Sequence, residues 1–155
     1  MSTSPNSANA HYNLGNVYFD KARYEDAIRE YSASIRLKPG YSFSHLMLGE
    51  AYEKTGAMEE AEKEYRQAIM FDPDNASAHN QLGALYYDRG EYDSALLEYE
   101  KAISLNSGYT LAYINVGNAR YKLGDRQGAK AAWKNALRQD PGLEYIRKNL
   151  ELIDK

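Results

Sequence analysis

The chain repeats itself at one fixed step. Leu14-Gly15 returns as Leu48-Gly49, Leu82-Gly83 and Val116-Gly117, with no insertion or deletion between copies. The same step links Tyr18, Tyr52 and Tyr86, and it links Ala27, Ala61, Ala95 and Ala129. It links Tyr31, Tyr65, Tyr99 and Trp133, then Ser34, Ala68, Ala102 and Ala136. Pro39, Pro73 and Pro141 keep the register, with Ser107 in the remaining slot. A constant period of this length means that one supersecondary unit recurs and buries its apolar face against its neighbours.

Each unit reads as two amphipathic helices. In the third, helix A is expected near 76–88 and helix B near 92–105. Gly90 between them suits a left-handed helix stop, Asn75 suits an N-cap, and Pro73 forbids a continuous helix across the boundary. Gly83 and Ala95 are small enough to let the two helices approach closely, and Tyr86 and Tyr99 then fill the remaining space. This accounts for six of the 15 tyrosines, two in each of the first three units.

A unit reading L-G-x-x-Y, then alanine, an aromatic, alanine and proline, resembles the tetratricopeptide repeat. The resemblance covers 8–143 in four units, 8–41, 42–75, 76–109 and 110–143. It implies an all-α fold, a right-handed superhelical stack of helix–turn–helix hairpins with a concave inner surface. It also implies a non-enzymatic protein-interaction module. Residues 144–155 follow as one more helix. Its stripe of Ile146, Leu150 and Ile153 is expected to cap the last unit, with a polar outer face. Residues 1–7 are rich in Ser, Pro and Asn and are expected to form a disordered tail.

Four positions depart from the pattern. Ala22 replaces a glycine between helices, Ser107 a proline and Arg120 a tyrosine, and Gly128 sits early in the last helix B.

Little in the chain can do chemistry. There is no cysteine, which excludes disulfides, thiol nucleophiles and thiolate metal sites. No nucleophile–base pair, phosphate-binding glycine loop or HExxH motif is present. The sequence therefore points to no enzyme and no cofactor. His11, His45 and His79 share one repeat position. Equivalent helices in a stack lie roughly 8–10 Å apart, too far for three imidazoles to share a metal with Zn–N bonds of about 2.0–2.1 Å. A packing role is expected instead. The net charge of −3 argues against nucleic acid, since helical repeats that read RNA have basic grooves. No apolar run approaches a membrane span. No signal peptide is visible at the start, so a cytoplasmic location is expected.

The remaining candidate is the inner face of the A helices. On a wheel of about 100° per residue, the residues facing away from the packing side are Tyr12, Asn13, Asn16 and Phe19 in the first unit. In the second they are Phe43, Leu46, Met47, Glu50 and Glu53. They are Asn80, Gln81 and Tyr87 in the third, and Leu111, Asn115, Asn118 and Tyr121 in the fourth. A merely solvated face would be rich in Glu and Lys. This one interleaves rings and aliphatic groups with amides, which can both donate to and accept from a peptide backbone. Acids (Asp20, Glu50, Glu53, Asp88) outnumber lysines (Lys54, Lys122) on the face, so the expected ligand is an extended or helical segment of a partner protein, neutral to basic, with apolar anchors. The resemblance also implies a test for the family's carboxylate clamp, which grips acidic chaperone C-termini. Of the matching positions in the first three units (Tyr12, Asn16, Met47, Ser77 and Gln81) only Asn16 fits, and in the last three units none does. An acidic chaperone tail is therefore not the expected partner. The alternative reading is a self-assembling scaffold, a homo-oligomer built through the repeat ends.

Overall fold

The computed structural model describes residues 7–153. Among them are nine helices and no strand: α1 (Ala8–Asp20), α2 (Tyr24–Leu37), α3 (Ser42–Thr55), α4 (Met58–Phe71), α5 (Ala76–Asp88), α6 (Tyr92–Leu105), α7 (Thr110–Lys122), α8 (Arg126–Gln139) and α9 (Glu144–Leu152). The A helices start at Ala8, Ser42, Ala76 and Thr110 and the B helices at Tyr24, Met58, Tyr92 and Arg126, so the period of the sequence is the period of the structure. Ser107 does not disturb it. The helices form two compact units, one ending at Ala78 and one beginning at His79. In the first, α2 packs along α1 and against α3, and α3 along α4; in the second, α7 lies between α6 and α8, and α8 meets α9. The fold is all-α, made of stacked helix–turn–helix pairs.

The Leu-Gly glycine of each A helix makes room for a ring. A Cβ on Gly15 would lie 2.5 Å from the Tyr31 ring, one on Gly49 2.6 Å from Tyr65, and one on Gly83 2.8 Å from Tyr99; Gly117 is pressed against Trp133 in the same way. These four rings, each carried by the helix B that follows, are buried in every repeat. The other ring series is less uniform. Tyr86 is buried, but Tyr18 and Tyr52 are only half-buried, and the Arg23 guanidinium covers the Tyr18 ring at 4.6 Å. The expectation of two core tyrosines per repeat thus holds fully only for the third. Gly49→Ala should destabilise the first unit by about 1–3 kcal/mol through overpacking, despite the roughly 0.5–1 kcal/mol gained from alanine in a helix. Urea unfolding measures this, and an unchanged midpoint would show that Tyr65 can yield.

The turn between helices A and B needs a left-handed residue. Gly56, Gly90 and Gly124 supply it with φ of 84°, 79° and 82°, and Ala22 adopts φ 55° at the equivalent place, a conformation that costs an alanine roughly 1–2 kcal/mol.

The three histidines are more than flat packing groups. Each Nδ1 meets a glutamate on the following helix B: His11 with Glu30 at 2.6 Å, His45 with Glu64 at 2.6 Å and His79 with Glu98 at 2.7 Å. His45 also directs Nε2 at the Pro39 carbonyl, 2.8 Å away, and its ring stacks on Phe71. The Pro39 carbonyl and an ionised Glu64 are both acceptors, so the arrangement favours the imidazolium, in which both ring nitrogens donate. Burial pulls the His45 pKa down, but the hydrogen bonds to Glu64 and Pro39 and the Glu64 charge outweigh it, and the net shift is upward from 6.5. A raised folded-state pKa means that this stabilisation is complete below the ordinary histidine value and fades as pH climbs through the folded-state value. Wild type should therefore lose more melting temperature than His45→Gln does as pH rises above the ordinary histidine value; parallel profiles would contradict the assignment.

The fourth repeat changes both members of this pair, placing Tyr113 and Ala132 where the other repeats have His and Glu. Arg120 and Gly128 change together as well. The Arg120 Nη2 donates to Glu100 at 2.8 Å, and Asp125 caps α8 by accepting from the Gly128 amide at 2.8 Å. A Cβ on residue 128 would collide with the Asp125 carboxylate and approach Arg120 Nη1 to 2.7 Å. Glycine leaves room for these side chains, whereas a Cβ would make their ends shift.

The ends follow the sequence in part. Of the expected tail 1–7, residues 1–6 lie outside the described residues. Ser7 instead serves α1, its hydroxyl capping the helix by accepting from the Ala10 amide at 3.1 Å. Ile146 on α9 and Ile153 at its C-cap are buried against Ile114, Ala129, Trp133 and Ala136, with Leu150 partly buried beside them. The outer face of α9 is not wholly polar: Tyr145 and Leu152 are exposed along with Arg147, Lys148 and Glu151.

Candidate peptide-binding surface

In the first unit the inner-face residues lie on α1 and α3. Asn13 and Phe43 are exposed and Leu46 is buried, which removes Leu46 from any ligand surface. Tyr12 is wedged between Tyr31 and Tyr41, with ring centres 6.1 and 5.4 Å away, and Phe19 sets its ring edge against Tyr24 at 5.4 Å. Phe43 stands edge-on to Tyr41. Met47 is half-buried against the cluster around Tyr31 and Leu48. Polar groups here are partly committed. Asn16 Oδ1 accepts from the Tyr31 hydroxyl at 2.7 Å, and Glu53 accepts from the Tyr65 hydroxyl at 2.7 Å. Burial, that hydrogen bond and the charges of Glu53 and half-buried Glu50 drive the Tyr65 pKa strongly upward, so its hydroxyl remains a fixed donor.

The second unit brings its candidates into a different arrangement. Asn80 is buried, its Oδ1 accepting from Asn115 Nδ2 at 3.0 Å and its Nδ2 donating to Gln81 at 3.4 Å. Asn80 is therefore structural, and Asn115 is its support. Leu111 is exposed. Tyr87 is half-buried, edge-on to Tyr92 at 5.2 Å. Asn118 Oδ1 accepts from the Trp133 indole at 3.2 Å. Tyr121 is 47% exposed, and its ring centre is 5.9 Å from that of Trp133.

Tyr87, Asn118 and Tyr121 border a cleft of about 190 Å³, whose other walls are Trp133, Asn149, Leu152 and Ile153. The pairing of Tyr87 with Tyr121 is legible from their shared repeat position. The contribution of α9 is not, because Leu152 lies off the apolar stripe that marks that helix as a cap. Among the described residues no charged side chain lines the cleft, so the chemistry they offer is aromatic and aliphatic contact plus amide hydrogen bonding.

Among the described residues no group of three or more His, Cys, Asp or Glu is placed to hold a metal ion. No described helix is long and apolar enough to cross a membrane.

A family model described as "TPR repeat" matches residues 15–56, 49–88 and 83–124, and one described as "Tetratricopeptide repeat" matches 110–143. The chain is a tetratricopeptide-repeat protein. Two crystal structures of MamA resemble it at 30% identity. One has a TM-score of 0.82 and an alignment covering 89% of this chain and 81% of MamA. The other has a TM-score of 0.79 and covers 88% and 75%. PilF of Pseudomonas aeruginosa is similar at a TM-score of 0.84 and 21% identity over 90% of this chain and 64% of PilF, a likeness of fold. None of the curated proteins compared matches the chain. Membership of the tetratricopeptide-repeat family carries the general role of that family, non-enzymatic protein interaction.

Proposed function

We propose that the helix-A surface of the unit beginning at His79 binds an extended segment of a partner protein, neutral to basic and with apolar anchors. We read the chain as four repeats at 8–41, 42–75, 76–109 and 110–143, followed by a capping helix at 144–155. The observation that carries the binding reading is the cleft between Tyr87 and Tyr121, two rings from one repeat position in adjacent repeats, with no charged lining side chain among the described residues and Tyr121 left exposed. Exposed apolar groups gathered around a few amides mark a binding surface. Leu111, Asn115 and Asn118 lie on the same helix as Tyr121 and extend that surface. The clamp positions lack the required lysines and arginine, so the ligand is not an acidic chaperone tail. Selection of short peptides from a random phage library on wild type, followed by titration of Tyr121→Ala, tests the reading. Wild type should yield binding peptides and the variant should lose them.

One observation favours self-assembly as a second reading. On α1, Leu14 is 40% and Val17 46% exposed, whereas Leu48 and Leu82, equivalent to Leu14 in the next two repeats, are 4% and 2% exposed. Among the described residues this packing face is open. Under this reading Leu14→Asp should convert an oligomer to a monomer in light scattering; a wild-type monomer at all concentrations would dismiss it.

A further inference from the structure

The cleft at Tyr87 and Tyr121 specifies more than a general groove does. Its volume is about 190 Å³. Small-molecule sites usually run to about 300–1,000 Å³, so this one suits a single large side chain and not a cofactor or a helix. Two tyrosines and an indole give it aromatic walls. Leu152 adds an aliphatic one; at 62% it is among the most exposed large apolar residues described. Among the described residues no charged side chain lines it, so a charged anchor finds no ion-pair partner among them. Asn118 Oδ1 accepts from the Trp133 indole, and its Nδ2 remains a donor for a ligand. A peptide backbone carbonyl beside the anchor suits that donor.

We infer that this cleft takes one uncharged aliphatic side chain of the bound peptide, and that Leu152 of α9 determines its specificity. This rests on the peptide-binding reading above and deepens it: α9 is a wall of the site as well as a cap. Leu152 suits the test because its exposure frees it from a core role, while Ile146 and Ile153 hold the helix in place.

The experiment uses the full chain and the peptides selected on wild type, each resynthesised with its anchor as Leu, Lys or Asp. Affinity is read by fluorescence anisotropy, and melting is checked by circular dichroism. Leu152→Asp should melt like wild type, bind the Leu-anchored peptide at least tenfold more weakly, and shift its preference toward the Lys-anchored form. That change of preference is something a structural defect would not produce. If Leu152→Asp binds all three peptides as wild type does while Tyr121→Ala loses them, the role of α9 is overturned and the groove reading stands. If neither substitution weakens binding, or wild type selects no peptide, both fall. Wild-type self-association that Leu152→Asp abolishes would put a second copy in the cleft and overturn the peptide assignment.

Discussion

Truncation before Glu144 is expected to lower the stability of the second unit severely. Ile146 is fully buried and Ile153 nearly so, both packed on Ile114, Ala129, Trp133 and Ala136. Burying an aliphatic side chain is worth about 1.5–3 kcal/mol, and removing α9 forfeits two such contacts, part of a third from Leu150, and the cover over Trp133. Whole domains are stable by only about 5–15 kcal/mol. Ile146→Ala alone should cost about 2–5 kcal/mol. Differential scanning calorimetry should show a clear fall in the melting temperature for both forms, larger for the truncation. Unchanged melting and solubility would mean that α9 does not cap the fourth repeat.

The second large effect is on binding. Interface energy concentrates in a few aromatic anchors, each worth about 2 kcal/mol or more when truncated. Tyr87→Ala combined with Tyr121→Ala should therefore weaken a selected peptide by roughly 100-fold or more in anisotropy titrations. Tyr121 is half-exposed and Tyr87 rests against the edge of the Tyr92 ring, so the helical signal should persist. Asn115→Ala is a poorer probe. It would strip the buried Asn80 carbonyl of its donor, and a buried unsatisfied group costs about 1–3 kcal/mol, so lost binding would be confounded with lost structure. Glu59 and Lys101, exposed on B helices, should change affinity little. Lost binding from those changes, with none from the tyrosine pair, would move the site to the outer face.

The sequence displayed the helices clearly because their determinants are local and repeated. Gly49 and Tyr65 sit on the two helices of one hairpin, and the same clash forces the same choice in each copy. The inner face was less legible. A helical wheel treats each helix in isolation and places Leu46 and Asn80 beside the exposed residues, whereas both are buried in the fold. The amides on that face looked available, but Asn16 and Asn118 each spend an oxygen on a ring of the next helix. The His–Glu pairs had a visible trace that the histidines alone do not reveal: Glu30, Glu64 and Glu98 keep the repeat step, and Ala132 breaks it where Tyr113 replaces histidine. The wall supplied by α9 had no such trace, since it exists only once folding brings Leu152, on the last helix, to Tyr121 on α7.

Trp133 offers the most direct measurement. It is the single tryptophan of the chain and borders the cleft between Tyr87 and Tyr121. In a two-dimensional amide NMR titration with a selected peptide, its indole N–H resonance should shift saturably, together with Asn118 and Tyr121. Saturable peptide binding that moves resonances on α2, α4 or α6 while the Trp133 indole stays fixed would contradict the account.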